Sequence, residues 1–401
     1  MPERRTVLFL SPGFPPNAYR FCTALAARGA RVLAVGDAPA EQLSKDLAGS
    51  LTEYVFAPQM EEYEVLREVV AKLVERHGVI DRLDSNGEHW LAHEARLRDD
   101  FQVPGLGTAQ LAPVRSKRAM AGIFERAGIA CPPGVLTDDP QQVREFRRRH
   151  GLPLVVKPDT GSGSVDTFTV KTDEELDAML ERSLSGSLVQ PFIDGTIVTY
   201  DGLVTDEGRI VFATSHVYDT GIMQVRTGRL DGYYYSLRRI PPALELVGRH
   251  AVEAFDLRGR FFHLEFFDTP TGYVALEVNV RPPGGFTTDM MNDACGIDVY
   301  DLWAAIIMGD PVAATPSEHP FHSAHAGRRD DRTYRISNDR IVDELGSTLM
   351  RRLHVPDAFA ATMGNTAYLL RHRELDALLV AIALVQTPAD RDIPFALRDQ
   401  Q

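Results

Sequence analysis

The sequence is poor in cysteine and in positive charge, and each shortage excludes a class of protein. Its 401 residues include three cysteines, Cys22, Cys131 and Cys295, an odd number without a CxxC pair. Neither a disulfide framework nor a thiolate metal site is expected, and the three should be reduced, buried thiols. The formal net charge of −13 argues against nonspecific binding to nucleic acid or to anionic membranes, because both depend mainly on Lys and Arg. A small-molecule partner fits this composition better.

Long hydrophobic runs are also missing. Near the N-terminus only VLFL precedes the sequence SPG at 11–13, which is too short for a signal peptide and far too short for a membrane-spanning helix. A protein that stays in the cytoplasm is therefore expected. The remaining composition, 44% hydrophobic and 25% charged, is ordinary for globular proteins and sufficient for two or three packed units.

The first hundred residues alternate short apolar strands with helical stretches, such as VLFL, a helix near Tyr19 to Ala27, and RVLAVGD. This alternation predicts an α/β domain with a largely parallel sheet over residues 1–108. The loop SPGFPPN follows a strand and precedes a helix but lacks GxGxxG. A plain turn is therefore favoured over a dinucleotide-binding loop.

Composition changes divide the rest of the chain. The Gly- and Pro-rich segment VPGLGTAQLAP predicts a boundary to a central unit, 109–200, that contains a Gly/Ser loop at 159–166. The third unit, 201–401, has an α+β pattern and ends in a small α+β extension over 312–401. In this extension the pattern predicts a helix near Ile341 to Leu353, a hairpin turning at Gly364 and Asn365, and a last helix near Glu374 to Val385. The expected fold class is therefore α/β combined with α+β.

The segment RFFHLEFFDTPTGYVALEVNVRPPGG predicts a hairpin over 260–281 that separates polar from apolar residues. With TPTG as the turn, three cross-strand pairs follow: Asp268 with Val274, Glu265 with Glu277, and His263 with Asn279. The last two pairs share one face, since successive strand residues point to opposite sides. The other face is apolar and suits the core: Phe262, Leu264, Phe266, Leu276, Val278 and Val280.

Two carboxylates directly opposite each other repel unless something compensates, and a divalent cation is the natural compensation. Magnesium prefers carboxylate and amide oxygens, so Glu265, Glu277 and Asn279 form a candidate metal site. Arg281, on the same face, adds a planar fork of donors for a phosphate or carboxylate oxygen. The alternative is a solvated polar face, but the glycines of the following RPPGG allow a ligand close to the backbone and favour the functional interpretation.

A second candidate site follows the apolar strand LPLVVK, which ends at Lys157. The loop behind it can wrap phosphate oxygens with backbone N–H groups and hydroxyls; its candidate residues are Gly161, Ser162, Gly163 and Ser164. Lys117, near the start of a helix, is a further candidate phosphate ligand. The loop is no Walker motif, and a surface hairpin is the alternative.

Adenine and substrate contacts have weaker signals. In LVQPFIDG, Phe192 and Ile193 offer an apolar slot for a purine, and Gln190 an amide for its amino group. Substrate choice is expected in residues 215–236 and in DSNGEHW; the candidate residues are Glu88, His216, Arg226 and the Tyr233–Tyr235 run. A surface loop with satisfied tyrosines is the alternative. The histidines of HPFHSAH match no zinc pattern and are expected to be strand and loop residues.

The order of these motifs resembles that of the ATP-grasp superfamily over roughly residues 1 to 310. The motifs are Lys117, Lys157 with its Gly/Ser loop, QPFI, and Glu265 followed by ExNxR. The RPPGG continuation is most similar to bacterial L-amino acid ligases that make dipeptides. The resemblance implies an ATP-grasp fold: a Rossmann-like N-terminal domain, a central lid subdomain, and a C-terminal subdomain with the metal hairpin. ATP would lie between the last two.

The resemblance also implies roles and an activity. Lys117 and Lys157 would contact phosphates, and the QPFI residues would contact adenine. The hairpin carboxylates and the Asn279 amide would bind two magnesium ions, with manganese as a substitute. Arg281 would be catalytic by stabilising an acyl phosphate, and Gly284 and Gly285 would hold the substrate carboxylate. The implied enzyme is an ADP-forming carboxylate–amine ligase, often a homodimer, acting on an amino acid or a similar small acid.

The chain departs from the family pattern where a glutamate is usual. Gln190 replaces one such glutamate, and Ile197 replaces the ribose-binding one, for which Asp194 or Asp201 are substitutes. Two rival functions stay open: activation of bicarbonate or another carboxylate, and nonenzymatic nucleotide sensing. The intact lysines, carboxylates and Arg281 argue against the sensor.

Overall fold

The computed structural model describes residues 4–161, 166–182, 184–218 and 231–391. Strands in these ranges are β1 Thr6–Leu10, β2 Arg31–Gly36, β3 Glu53–Phe56, β4 Arg82–Asp84, β5 Val135–Leu136, β6 Leu154–Pro158, β7 Phe168–Val170, β8 Ser187–Pro191, β9 Thr196–Val204, β10 Ile210–Thr214, β11 His216–Tyr218, β12 Tyr233–Ser236, β13 Arg260–Thr269, β14 Gly272–Asn279, β15 His322–Arg328, β16 Leu349–His354 and β17 Thr366–His372. Helices are α1 Tyr19–Ala27, α2 Lys45–Ser50, α3 Tyr63–His77, α4 Leu91–Phe101, α5 Ala112–Arg115, α6 Lys117–Arg126, α7 Pro140–His150, α8 Asp173–Glu181, α9 Pro242–Ala254, α10 Thr287–Cys295, α11 Val299–Met308, α12 Arg340–Leu345, α13 Asp357–Met363 and α14 Leu375–Gln386.

The N-terminal sheet is parallel, with the order β3-β2-β1-β4. The predicted strand VLFL and the predicted first helix are both present. All five residues of β1 are buried, as expected for a central parallel strand covered on both faces. The α/β prediction for this part of the chain is therefore confirmed.

The lid, defined here as β5 to β8 with α7 and α8, is a small antiparallel sheet in the order β5-β8-β6-β7. Its helices and strands enclose a separate apolar core: Val143, Leu154, Val156, Val170, Leu176, Met179 and Val189. Helix α6, although it lies in the predicted central unit, packs through Met120 and Phe124 on the core of the larger sheet described next.

That larger sheet is antiparallel and contains nine of the described strands, in the order β14-β13-β9-β11-β12-β15-β17-β16, with β10 beside β9. Strand β9 pairs with β13 along its whole length, Thr196 to Val204. The predicted boundary at 200 falls inside this strand, so we propose a boundary between β8 and β9.

The predicted C-terminal extension continues the nine-stranded sheet through β15, β17 and β16. The helix predicted near Ile341 to Leu353 ends at Leu345 and is followed by β16. The predicted hairpin turn at Gly364 and Asn365 instead joins helix α13 to β17. The last helix lies where the sequence predicted it.

The predicted metal hairpin is β13 and β14, and its predicted register is correct at the end that carries Glu265 and Glu277 and wrong near the turn. Glu265 pairs with Glu277 and His263 with Asn279, but Asp268 pairs with Tyr273 because a bulge intervenes. A bulge places an extra residue on one strand. As a result Ala275 is buried in the core and Leu276, predicted to be there, is only half-buried.

A shared core connects the N-terminal sheet to the nine-stranded sheet. Phe9 of β1 and Phe21 of α1 belong to the same buried cluster as Phe261 of β13 and Trp303 of α11. Within the described residues, no helix combines the length and apolar character needed to span a membrane.

Candidate active site

Glu265 of β13 and Glu277 of β14 lie opposite each other, with Asn279 two residues farther along β14. Burial and the Glu265 charge raise the pKa of Glu277. Burial would also raise the pKa of Glu265, but a hydrogen bond from His263 and the His263 and Arg281 charges lower it. Two carboxylates that face each other across a strand pair disfavour each other's ionisation unless a cation compensates them.

The donor set fits magnesium. In the described residues, no group of three His, Cys, Asp or Glu side chains is placed to enclose a metal. A cation at Glu265 and Glu277 would therefore need the Asn279 amide, water or phosphate oxygens as well. That mixture of two carboxylates with nonprotein oxygens is how magnesium is commonly held beside nucleotides.

Lys117 connects the lid to this carboxylate pair. It opens helix α6, which Ser116 caps by accepting a hydrogen bond from the Ala119 N–H. Its Nζ donates to the Gly161 carbonyl at 2.8 Å and lies 3.9 Å from Glu277 Oε1. The main chain of Lys117 also donates to the Asp159 carbonyl at 2.9 Å, so this end of the Gly/Ser loop is fixed to α6.

Lys157 stands on β6 with its side chain buried. Burial, with a smaller contribution from the Lys117 charge, lowers its pKa to about 8, although Glu277 and Glu265 oppose the shift. The two lysines and the two carboxylates therefore form one group of interacting charges. The predicted loop residues Ser162, Gly163 and Ser164 lie outside the described residues.

Arg281 meets a carboxylate from the N-terminal domain. Its Nε donates to Glu88 Oε2 at 3.2 Å. Glu88 lies in the loop after β4, where Asp84 Oδ1 accepts the N–H groups of Ser85 and Asn86, both at 2.9 Å. The sequence pointed to both Arg281 and Glu88 but not to their contact, which joins residues almost two hundred positions apart.

The predicted adenine residues lie together on and just after β8. The Gln190 amide is buried and donates to the Pro132 carbonyl at 3.2 Å. Phe192 is 42% exposed, and Ile193 is half-buried. Their role toward a purine stays a prediction.

Two residues with predicted roles are buried in the nine-stranded sheet. Asp201, one of the two predicted substitutes for the ribose ligand, has a fully buried side chain whose two oxygens are occupied, by His263 Nδ1 at 2.6 Å and by His216 Nδ1 at 2.7 Å. His216, predicted to line a substrate pocket, is itself fully buried beside Asp201. Arg226 lies outside the described residues.

The remaining substrate candidates adjoin the hairpin. Gly284 accepts a hydrogen bond from Thr287 Oγ1 at 2.7 Å, and Gly285 has a φ of +65°. The Tyr233–Tyr235 run forms β12 rather than a surface loop. Tyr234 is buried, and its ring stacks on Tyr218 with centroids 4.8 Å apart.

Sequence reasoning missed the buried link behind Glu265. His263 Nε2 lies 3.1 Å from Glu265 Oε1. Burial alone would lower the pKa of His263, but the carboxylates of Asp201 and Glu265 raise it to about 9. The HxE spacing on β13 was the available signal for His263, whereas Asp201 depends on the order of strands in the sheet.

The family comparison agrees with this geometry. Residues 114–285 match the family model described as an ATP-grasp domain. That range contains both lysines, the lid and the whole metal hairpin. The sequence motifs had pointed to a resemblance to the same family over this range.

The relatives that match by sequence include ligases. The D-alanine–D-alanine ligase of Mycolicibacterium smegmatis is 32% identical over 202 residues, which cover 45% of this chain and 52% of that protein. The chain thus spans about half the length of this relative.

Solved structures extend the likeness to nearly the whole chain. The L-amino acid ligase from Bacillus licheniformis has a TM-score of 0.73 at 15% identity and covers 94% of this chain and 95% of its own. A second similar structure is the biotin carboxylase domain dimer of Hydrogenobacter thermophilus 2-oxoglutarate carboxylase, solved with MgADP, ADP and bicarbonate. It has a TM-score of 0.72 at 15% identity, and the match covers 95% of this chain and 89% of that chain. These likenesses establish an ATP-grasp fold.

Proposed function

We propose that this chain is an ATP-dependent carboxylate–amine ligase that forms an amide bond through an acyl phosphate and releases ADP and phosphate. The observation that carries the proposal is the convergence of Lys117 and Lys157, from two different elements, on the opposed carboxylates Glu265 and Glu277. Phosphoryl transfer needs positioning and charge neutralisation more than covalent chemistry, and this arrangement supplies both.

Each group in the site has a proposed task. Lys117 and Lys157 hold the nucleotide phosphates from the lid side, and Glu265, Glu277 and Asn279 hold magnesium from the hairpin side. Magnesium, when bound, neutralises phosphate charge. The substrate carboxylate attacks the γ-phosphate, an amine then attacks the acyl phosphate, and Arg281 stabilises the oxyanion that develops.

The contact between Arg281 and Glu88 favours an amino acid as the activated acid. An amino acid zwitterion carries a carboxylate and an ammonium a few ångströms apart, and here a guanidinium and a carboxylate stand side by side. The substrate carboxylate would replace Glu88 at Arg281, while Glu88 would accept hydrogen bonds from the ammonium. A simple carboxylate or bicarbonate would use only half of this pair.

The test is phosphate release from Mg-ATP across a panel of amino acids, other carboxylates, bicarbonate and amines, with mass spectrometry of the products. We expect release that requires both an acid and an amine, and a product with the mass of their amide. Bicarbonate-dependent release without an amino acid would instead identify a carboxylating enzyme. Nucleotide binding without release under any condition would identify a sensor.

Glu277→Gln is the matched negative control, because it removes a metal-binding charge while keeping the side-chain shape. Activity should fall to near background with the fold intact. Glu253→Gln, an exposed change on α9, should keep full activity. Normal turnover by Glu277→Gln would show that the hairpin is not the metal site.

Two further parts of the proposal concern the setting of the enzyme. We propose that it acts in the cytoplasm, where ATP is available and its three cysteines, free thiols in the structure, would stay reduced. A homodimer is also proposed; sedimentation analysis of the purified protein would test it.

A further inference from the structure

Behind the metal-facing carboxylates, a series of hydrogen-bonded side chains joins two neighbouring strands, β9 and β13. Asp201 lies on β9 directly opposite His263 on β13. Its Oδ1 is 2.6 Å from His263 Nδ1, and the other ring nitrogen of His263 is 3.1 Å from Glu265 Oε1. Asp201 is fully buried and His263 is 4% exposed, so solvent does not compete for these contacts.

The hydrogen-bond donors and acceptors of Asp201, His263 and Glu265 restrict how these side chains can be oriented. An ionised carboxylate only accepts hydrogen bonds, so Asp201 takes the Nδ1–H of His263. This bond fixes the plane of the imidazole and directs Nε2 to Glu265. On its other side Asp201 is held by His216 Nδ1 at 2.7 Å and by the Thr199 hydroxyl. The His263 ring therefore cannot rotate without breaking a buried hydrogen bond to a carboxylate.

We propose that Asp201 is a positioning residue that acts through His263 to hold Glu265 Oε1, so that Oε2 is presented to the metal. The inference rests on the proposed magnesium site of the preceding section. Groups that orient a metal ligand from behind typically contribute about 10–100-fold to metal affinity or activity. Asp201 touches neither metal nor substrate, so its effect should appear only where Glu265 is used.

The rival explanation is that Asp201 only stabilises the sheet. The metal dependence of nucleotide binding separates the two explanations, because a defect in the sheet would weaken nucleotide binding both with and without metal. Calorimetry with a nonhydrolysable ATP analogue, once in magnesium and once in EDTA, measures the two cases. Asp201→Asn keeps the shape and one acceptor while removing the charge.

We expect Asp201→Asn to weaken the magnesium-dependent part of analogue binding about 10–100-fold and to leave binding in EDTA within twofold. The magnesium concentration at half-maximal turnover should rise by the same factor. Asp293→Asn is the matched control: Asp293 is also buried and ion-paired, with Arg351, but it lies on α10 away from the hairpin. Asp293→Asn should leave both measurements unchanged.

His263→Gln provides a second variant that keeps the Asp201 charge. If Asp201 acts through His263, the double variant should bind magnesium and analogue no more weakly than His263→Gln alone. Fully additive losses, or equal weakening in magnesium and EDTA, would overturn the inference. Wild-type protein that binds no Mg-nucleotide would instead reject the proposed function itself.

Discussion

At the scale of single residues, burial drives the charges of the site toward neutrality. It lowers the pKa of Lys157 to about 8 and raises that of Glu277. Both shifts would reverse when phosphates approach the lysine and a cation approaches the carboxylate, because an opposite charge favours the ionised form. The empty site is therefore electrostatically unfavourable, and the binding of charged ligands would relieve this cost.

Lys157→Ala should weaken ATP binding in EDTA by tenfold or more, on the order of one lost charge-assisted contact, because it removes the buried cation beside the Gly/Ser loop. Lys171→Ala, an exposed lysine just after β7, is the control and should bind ATP normally. Equal affinity in the two variants, measured by calorimetry, would remove Lys157 from the phosphate site.

The same lysine predicts a pH dependence. Its folded pKa of about 8 means that the charged form is nearly complete at low pH and is lost as the pH rises through 8. Nucleotide affinity of the wild type should therefore fall above that pH, by at most about tenfold per unit. In Lys157→Ala this fall should be absent, and a parallel slope in both proteins would assign the titration elsewhere.

Arg281 should matter more to the reaction than to nucleotide binding. Arg281→Ala should lower kcat by about a hundredfold, the usual loss for one oxyanion donor, while ATP affinity changes little. Arg281→Lys should recover only part of the lost kcat, because the lysine ammonium is a point charge and lacks the planar set of donors of a guanidinium. Single-turnover kinetics with parallel ATP titration decides the matter: a variant that loses ATP binding but keeps its chemical rate would place Arg281 at the nucleotide.

At the scale of elements, the sequence predicted those parts of the hairpin that alternation determines. Glu265 and Glu277 were placed opposite each other because polar and apolar residues alternate on both strands. The bulge near Leu276 was not predictable, since one extra residue leaves the pattern on each side intact. The Asp201–His263 contact was not predictable either, because it depends on β9 being the neighbour of β13.

Gly285 tests how the loop after the hairpin is built. Its φ of +65° costs an L-residue about 1–2 kcal/mol, and an added Cβ would lie 2.5 Å from Met363 Cε on helix α13. Gly285→Ala should therefore lower the melting temperature by several degrees. Gly284→Ala, whose Cβ would meet nothing within 4 Å, is the control for stability.

The loss caused by Gly285→Ala should be smaller in a Met363→Ala background than in the wild type, because the truncated side chain no longer meets the added Cβ. Met363→Ala alone is the reference, since truncation of this buried methionine is itself destabilising. Thermal unfolding measures all of these variants. Equal melting temperatures for Gly284→Ala and Gly285→Ala would show that the loop is not built as described.

At the scale of the whole molecule, the buried clusters separate the lid from the two larger sheets. The N-terminal sheet and the nine-stranded sheet share one buried cluster, which includes Phe9 and Phe261. The lid has its own cluster, with Leu154 and Val189 among its members. Within the described residues, the lid is joined to α6 by hydrogen bonds, such as Lys117 to Gly161, and its buried cluster is separate from the cluster that contains Met120 and Phe124 of α6. Local opening of such a unit costs less than global unfolding.

Leu154→Ala should therefore loosen the lid without loosening the rest. Removing a fully buried leucine costs about 2–5 kcal/mol, and that loss should fall on the lid core alone. Hydrogen–deuterium exchange read by mass spectrometry should speed up at β5 to β8 and stay unchanged at β1 to β4, while ATP affinity falls because an ordered lid must hold the phosphates. Phe261→Ala is the matched comparison in the shared core, where about 3–5 kcal/mol is lost, and it should accelerate exchange in both larger sheets. If Leu154→Ala accelerates exchange at β1 to β4 as strongly as in the lid, the lid is not an independent unit.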